Sequence, residues 1–119
     1  MVLDEPCCMA FLDVHPLFPG HALLVPREHH ETLADLPGGA VAPLFTAAQR
    51  LAVAMEEGLG ARGSFVAMNN RVSQSVAHLH VHVVPRTKGD GLKGFFWPRT
   101  RYRDDADRHE VAARLRAVL

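Results

Sequence analysis

Three histidines that alternate with apolar residues form the feature that most constrains this chain. They lie in the segment AHLHVHVV, residues 77–84, which Pro85 follows directly. Successive side chains of a β-strand point to opposite faces, so this segment is predicted to be a strand with imidazoles on one face and a buried apolar surface on the other. The histidines are His78, His80 and His82. The apolar partners are Leu79, Val81 and Val83.

Three imidazoles in a row can bind a metal ion, supply a nucleophile with acid–base neighbours, or be inert and solvated. The preceding segment NNRVSQSV, residues 69–76, is rich in hydrogen-bond donors and has no negative charge. A hydrolytic zinc site usually has a nearby carboxylate that acts as general base. The sequence between Ser64 and Lys88 contains no aspartate or glutamate. This favours a neutral pocket that stabilises phosphoryl charge and leaves a zinc hydrolase as the alternative. The donors are Asn69, Asn70, Gln74 and Ser75.

The remaining pattern predicts an α+β fold with an antiparallel sheet, one long central helix and a C-terminal helix. The long helix runs from Val41 to about Gly58, and the last begins at about Asp104. Further strands are predicted at 8–14, 21–26 and 64–69. The apolar face of the long helix consists of Val41, Leu44, Phe45, Ala48, Leu51, Ala52 and Met55. The apolar face of the last helix consists of Val111, Leu115 and Val118.

Composition limits the partners of this chain. With 119 residues it suits a single domain spanning 1–119. The formal net charge is zero, which argues against nucleic acid or an anionic membrane as a partner, and no apolar run or signal peptide indicates a membrane. Cys7 and Cys8 are adjacent and are the only cysteines, so reduced thiols and a cytoplasmic location are expected.

Two motifs resemble the histidine-triad (HIT) family. The segment HLHVHVVPR matches that family's His-φ-His-φ-His-φ-φ signature, where φ is apolar, and AFLDVHPLFPGHALLVPREHH is similar to its N-terminal strand–turn–strand. They lie in the expected order, and with the helix between them they cover residues 9–86. The resemblance implies a homodimer that needs no cofactor. It also implies cleavage at the α-phosphate of a nucleoside polyphosphate, dinucleoside polyphosphate or nucleoside phosphoramidate, with water or another acceptor receiving the nucleotide.

The resemblance also implies a role for each matching residue. His80 matches the nucleophile, which forms a nucleotidyl–histidine intermediate, and His82 and Ser75 match groups at the leaving atom. His78 and His21 match histidines that support the phosphate pocket. The matches to phosphate-side donors are Gln74 and one of Asn69 and Asn70. The matches to the nucleoside site are Asp13 at the ribose hydroxyls, with Phe11 and Val14 on the wall of the base pocket.

Alternatives remain open for several of these residues. Phe11 and Val14 can instead be core residues, and Asp13 can instead cap the turn before His15. The loop before the triad lacks the glycines that are usual in the family. No metal site is expected, because the structural zinc of some members needs cysteines that this chain lacks, and His29, which matches a zinc ligand by position, is then structural or solvated. A non-catalytic nucleotide-binding module is a further alternative.

Overall fold

The computed structural model describes residues 1–93 and 98–119 of the chain. Its strands are β1 (Leu3–Asp4), β2 (Cys8–Leu12), β3 (Ala22–Pro26), β4 (Gly63–Ala67) and β5 (Val81–Arg86). They form one sheet in the order β1-β2-β3-β5-β4, and every neighbouring pair is antiparallel. The helices are α1 (Gly38–Leu59) and α2 (Asp105–Arg116). This is the α+β architecture that the sequence predicts.

Helix α1 covers one face of the sheet and makes most of the core. It ends at Leu59 and is capped by Gly60, whose left-handed conformation (φ 68°) suits glycine. The predicted apolar face is wider than the buried one, since Val41 and Phe45 remain 37% and 42% exposed. They lie on the flank of a stripe centred on the buried residues, which recur at three and four. Those residues are Leu44, Ala47, Ala48, Leu51 and Met55.

Helix α2 begins where the sequence predicts, because the Asp104 side chain accepts a hydrogen bond from the Asp107 amide at 2.8 Å. Its apolar residues do not join the core. Leu115 and Val118 are 58% and 82% exposed, and within the described residues α2 contacts no other helix or strand. Over the same residues, neither helix combines the length and apolar character needed to cross a membrane.

The face opposite α1 is open, and the alternation of the triad segment explains why. Leu79, Val81 and Val83 are buried in the cluster that packs under α1. The alternate residues of the segment therefore face away from the helix. The predicted separation into an apolar face and a histidine face is confirmed.

Strand β5 begins later than the predicted residue 77, because Pro26 ends the pairing with β3. Continuing the register of Leu24 with Val81 would place Pro26 opposite Leu79. Proline has no amide hydrogen, and the Pro26 carbonyl instead accepts from His78 Nε2 at 3.1 Å. The Leu79 amide donates to the His30 carbonyl at 2.7 Å. Two of the three triad histidines thus precede the regular strand.

Strand β5 also continues past Pro85, which the sequence predicts as its end. The Arg86 carbonyl accepts from Arg62 on the β4 side, so the alternating Pro85 faces the β3 side. Pairing with β3 ends at Ala22, opposite Val83, so the missing amide costs no ladder bond.

Candidate active site

The open face of the sheet carries a cavity of about 520 Å³, which is within the usual range for small-molecule sites. All three triad histidines line it. They are half-buried, and side chains from β2, β3 and the loop before β5 surround them. The lining consists of Phe11, Asp13, Leu23, Val25, Ser75, Val76, His78, His80 and His82.

The hydrogen bond of His80 determines which ring nitrogen carries its proton. Its Nδ1 lies 2.8 Å from the backbone carbonyl of His78, and a carbonyl oxygen can only accept. Nδ1 of His80 therefore donates, and the neutral ring keeps a lone pair on Nε2. A neutral imidazole with a free Nε2 at a cavity is suited to nucleophilic attack.

A chain of hydrogen bonds determines the opposite tautomer for His82. The Leu17 amide donates to His21 Nδ1 at 3.1 Å, so a neutral His21 carries its proton on Nε2. That nitrogen lies 2.9 Å from His82 Nδ1, to which it donates. A neutral His82 then carries its own proton on Nε2. The two histidines therefore offer different groups at the cavity. His80 has a lone pair on Nε2, and His82 has an N–H.

Burial keeps this chain of imidazoles neutral. It lowers the pKa of His21 below its usual value against the opposing effect of Asp13. Burial is also the main reason that the pKa of His82 is lowered, and nearby His21 and His80 lower it further. Protonation of His82 would also place a second hydrogen between it and His21. Both rings are therefore neutral at neutral pH.

His78 is held by the protein at both ring nitrogens. Its Nε2 donates to the Pro26 carbonyl, so its Nδ1 accepts from His29 Nδ1, 3.0 Å away. The structural interpretation of His29 fits this contact, but its partnership with the triad was not predicted. The only sequence signal was its position in the motif PREHH.

Asp13 takes part in both arrangements that the sequence allows. Its Oδ1 accepts from the His15 amide at 2.9 Å, as a turn cap does, and the residue also lines the cavity. Its Oδ2 lies 3.9 Å from His21 Nε2.

Of the two residues predicted for the base pocket, Phe11 lines the same cavity, whereas Val14 is 85% exposed and does not. The turn at Asp13 follows the end of β2 and directs Val14 into solvent.

The loop before the triad uses its amide side chains to hold its own shape. Asn70 Oδ1 accepts from the Leu33 amide at 2.7 Å. Gln74 accepts from the Arg71 amide at 2.8 Å and donates to the Glu31 carbonyl at 2.6 Å. Neither residue lines the cavity, so their phosphate contacts remain predictions.

This loop contains no glycine, yet two of its residues adopt a left-handed backbone conformation. Arg71 and Ser73 have positive φ angles of 69° and 60°, a conformation that glycine adopts more readily. Asn69 Nδ2 donates to the Ser73 carbonyl at 3.2 Å and so helps to fix this conformation. Ser75, by contrast, lines the cavity beside the triad.

A second cavity of about 300 Å³ lies on the same face, and His82 lines both. In the sheet, His82 pairs with Leu23 of β3 on one side and with Ala67 of β4 on the other. The first cavity lies over β2 and β3, and the second lies towards β4. Its lining consists of His15, Leu17, His21, Phe65, Ala67, Met68, Asn69, His82 and Val84. The family resemblance also implies that the segment GDGLKGFFWPRTRY, residues 89–102, borders the leaving-group side, but Phe96 and Trp97 within it fall outside the described residues.

This geometry, an antiparallel sheet with three alternating histidines at a cavity, is that of the histidine-triad proteins. The family model described as the HIT domain matches residues 1–89, and the chain therefore belongs to the HIT family. An uncharacterized HIT-like protein of Mycobacterium tuberculosis is 34% identical over 99% of this chain and 82% of its own length. The asymmetrical bis(5'-nucleosyl)-tetraphosphatase of Schizosaccharomyces pombe is 34% identical over 68% of this chain and 46% of its own length, so the chain spans about half of that enzyme.

Solved structures agree with this assignment. A HIT family protein of Bacillus subtilis superposes with a TM-score of 0.87 at 26% identity, covering 99% of this chain and 86% of the other. A zinc-bound histidine triad family protein of Mycobacterium smegmatis superposes with a TM-score of 0.73 at 33% identity, again covering 99% and 86%.

The residues of this chain do not fit a structural zinc ion near the triad. Such sites take four ligands, and His29 and His78 form only a pair. Within the part of the chain that the structure describes, no third histidine, cysteine or carboxylate joins them at ligand spacing.

Two other groups of three come together elsewhere. One is Glu5 with the adjacent cysteines, but Glu5 pairs with Arg50, and burial raises the pKa of Cys8 to about 12, so its thiol stays protonated. The other is Asp13, His21 and His82, in which a hydrogen bond already joins the two rings.

Proposed function

We propose that this protein is a histidine-triad nucleotide hydrolase or nucleotidyltransferase that acts at a nucleotide α-phosphate through His80. The observation that carries the proposal is the opposite protonation of two neighbouring imidazoles. His80 offers a lone pair on Nε2 and His82 offers an N–H, and both line one cavity. A displacement at phosphorus needs one group of each kind, a nucleophile and a donor at the leaving atom.

The first chemical step forms a bond between His80 Nε2 and the α-phosphorus. The bond from phosphorus to the leaving atom breaks, and that atom departs with the electron pair while it accepts a hydrogen bond from His82 Nε2. The phosphorylated His80 ring becomes a cation, which its Nδ1–H bond to the His78 carbonyl stabilises. The nucleotide is then bound covalently to the protein.

The second step releases the nucleotide to water. A water oxygen attacks the phosphorus, the bond to His80 Nε2 breaks, and the water proton returns to solvent. An acceptor other than water would make the same protein a transferase. Ser75 lines the cavity beside these atoms and is proposed to donate to the leaving side.

The nucleoside is proposed to occupy the side of the cavity formed by β2 and β3. There the Asp13 carboxylate can accept from both ribose hydroxyls, because its cap to His15 uses only one lone pair. Phe11 would stack on the base. The tetraphosphatase of S. pombe supports a nucleotide substrate but does not identify the one used here.

The test is to trap the covalent intermediate. Enzyme is mixed with a panel of adenosine and guanosine phosphoramidates and dinucleoside polyphosphates and quenched at neutral or basic pH. Intact mass spectrometry should then show an increase of one nucleoside monophosphate. The adduct should map to His80 and be absent in His80→Ala, which should fold normally because the residue lies at a cavity surface and not in the core.

Each alternative predicts a different result. Loss of activity with a chelator and no adduct would favour a zinc hydrolase that uses the three strand histidines. Tight nucleotide binding without product after long incubation would indicate a binding module. A His80→Ala variant that keeps more than about a tenth of the wild-type rate would refute the nucleophile assignment.

A further inference from the structure

The two cysteines of the chain lie together at the turn between β1 and β2, away from the triad. Cys7 ends the turn, and Cys8 is the first residue of β2. The Glu5 amide donates to the Cys8 carbonyl at 3.0 Å and so closes the turn, and the Arg27 amide donates to the Cys7 carbonyl at 3.1 Å. Neither cysteine lines the cavity that contains the triad histidines, so an inference from this pair is independent of the proposed function.

The two thiols are in direct contact. Neighbouring side chains of a regular strand point to opposite faces, but the turn brings these two together, and Cys7 Sγ donates to Cys8 Sγ at 3.4 Å. Cys7 is exposed, whereas Cys8 is fully buried. A reagent from solvent therefore meets Cys7 first, and an atom bound to Cys7 has the second sulfur within reach.

A disulfide is a poor product for this pair. Cysteines joined by a disulfide usually have Cα atoms about 4.4–6.8 Å apart. Neighbouring residues on a trans peptide bond have Cα atoms only about 3.8 Å apart. Direct oxidation of Cys7 and Cys8 to each other would therefore distort the turn.

A divalent metal ion is also disfavoured. Structural zinc takes four ligands and binds cysteine as the thiolate. Glu5 is the third possible ligand near the two sulfurs, but its carboxylate pairs with Arg50 of α1. Burial and the contact with Cys7 raise the pKa of Cys8 to about 12. A ligand that suits this pair accepts two protonated thiols and needs no carboxylate.

A cavity of about 290 Å³ adjoins Cys7, between the turn, the end of β3 and the start of α1. Much of its wall is apolar, and its apolar members include Pro6, Pro26, Pro37, Ala40 and Pro43. Its charged side chains already have partners, since Arg27 pairs with Asp4 and His30 Nε2 lies 3.7 Å from the Glu28 carboxylate. A cavity of about 150 Å³ is enough to hold benzene, so an aryl group fits here. It is called the proline cavity below.

We propose that Cys7 and Cys8 form a binding site for trivalent organoarsenic compounds, in which arsenic bridges the two sulfurs and its aryl group occupies the proline cavity. Trivalent arsenic has a high affinity for sulfur and forms three covalent bonds, so one atom can hold two sulfurs and one aryl carbon. Sulfurs that touch at 3.4 Å without being bonded suit a bridging atom better than a direct S–S bond.

The binding step balances with water as its only other product. The test compound is phenylarsine oxide, which is present in water as phenylarsonous acid with two As–OH groups. Cys7 Sγ forms the first As–S bond, one As–O bond breaks, and the hydroxide leaves as water with the thiol proton. Cys8 Sγ forms the second As–S bond in the same way. Arsenic stays trivalent, so neither an oxidant nor a reductant is needed, and a protonated Cys8 is a reactant in this step.

The first test measures whether two sulfurs hold one arsenic atom. The whole chain, reduced beforehand, is mixed with phenylarsine oxide and studied by intact mass spectrometry. One phenylarsenic group should replace two hydrogens. Excess glutathione, which has one thiol, should leave the adduct in place, because one broken As–S bond reforms while the other holds the arsenic. Dimercaptopropanol, which has two thiols, should remove it.

Single-sulfur variants test the bridge. Cys7→Ser and Cys8→Ala should each bind phenylarsine oxide at least about 100-fold more weakly and lose it to glutathione. The double variant Cys7→Ser, Ser64→Cys keeps two thiols but leaves two strands between them, so it should behave like Cys7→Ser. Circular dichroism checks that each variant folds. Cys7→Ser changes an exposed residue and keeps the test valid if the buried Cys8→Ala variant does not fold.

A second pair of variants tests the proline cavity. Phenylarsine oxide should bind the folded protein at least about tenfold more tightly than arsenous acid, relative to the same ratio in the urea-unfolded chain. Ala40→Leu fills part of the cavity and should reduce this preference. Ala42→Leu makes the same change on the exposed side of α1 and should not alter it. Phenylarsine oxide should also raise the Tm of wild-type protein, because a ligand that prefers the folded state stabilises it.

Several outcomes would overturn the proposal. Binding that is equally tight in Cys7→Ser, or that glutathione reverses in wild-type protein, would show that arsenic does not bridge the two sulfurs. A fall in Tm would show that the compound prefers the unfolded chain. A mass lower by two hydrogens with no arsenic added would show that the thiols form a disulfide instead. An aryl preference that Ala40→Leu and Ala42→Leu change equally would overturn the placement of the ring.

Discussion

The bond from His21 to His82 allows a direct test of whether a tautomer, and not only a side-chain position, drives the reaction. His21→Leu removes the donor that holds the His82 proton on Nε2, and His21→Gln keeps an N–H donor near the position of the ring Nε2. Both variants remove the acceptor of the Leu17 amide, so both bear a similar loss of stability. The difference between them reports on the bond to His82.

The size of the effect follows from that single bond. The His21→Leu variant leaves Nδ1 of the half-buried His82 without its donor, and an unsatisfied buried group costs roughly 1–3 kcal/mol. If this energy is lost from the transition state, kcat/KM falls by about 5- to 150-fold. The loss should be greatest for a substrate whose leaving atom depends on the His82 donor. A substrate with a good leaving group should change by only about twofold to fivefold.

Two measurements check the prediction. Steady-state kinetics on one nucleoside with a poor and a good leaving group gives the kcat/KM losses for both variants. The ¹⁵N chemical shifts of His82 show directly which ring nitrogen carries the proton. His21→Leu should populate the Nδ1–H form, and His21→Gln should keep the wild-type signature. Equal kinetic losses in both variants, or an unchanged His82 tautomer in His21→Leu, would refute the reasoning.

Three further predictions concern the ribose, acid stability and assembly. Asp13→Asn should weaken ribonucleotide binding and narrow the preference for ribo- over deoxyribonucleotides by roughly tenfold, because the charge-assisted hydrogen bonds to the ribose are lost. An unchanged ratio of the two affinities in a binding titration would show that Asp13 only caps the turn at His15. The pKa values of His21 and His82 in the folded protein lie below the unfolded value of 6.5, so their contribution to stability is complete above pH 6.5 and is lost as pH falls through the folded-state pKa values. Urea unfolding at a series of pH values should show this loss of stability, and His82→Gln should make the loss smaller. The expected homodimer should appear in light scattering, with β4 at the edge of the sheet that the described residues form and Val66 43% exposed on it, and a monomer at micromolar concentration would contradict it.

The sequence predicts the parts of this fold that depend on periodicity. The strands β2, β3 and β4, the long helix and the start of α2 agree with expectation because each has an apolar repeat or a cap that acts locally. The alternation in the triad segment correctly predicts that Leu79 and Val83 are buried. It does not predict where pairing begins, because that depends on Pro26, which is distant in sequence and next to the triad in space.

The sequence likewise predicts only part of the candidate site. Residue type and spacing place His80 and His82 at the cavity, but not their tautomers. Those depend on the Leu17 amide and the His78 carbonyl, which are backbone groups that every chain has. Val14 could not be placed from the pattern, because the Asp13 turn moves it off the strand.

The tautomers also bear on whether His82 transfers its proton to the leaving atom or acts only as an N–H donor. The proton on His82 Nε2 is held there by His21, which the Leu17 amide fixes in turn, so transferring it fully would leave a charged ring in a partly buried site. A donor held in this way stabilises charge on the leaving atom without losing its proton. Glutamine at position 82 would offer an N–H of similar reach, so His82→Gln should keep part of the rate for substrates that leave as stable anions. For an amine leaving group, the same variant should lose more only if His82 does transfer its proton. If His82→Gln keeps an equal fraction of the wild-type rate for anionic and for amine leaving groups, His82 contributes only a hydrogen bond.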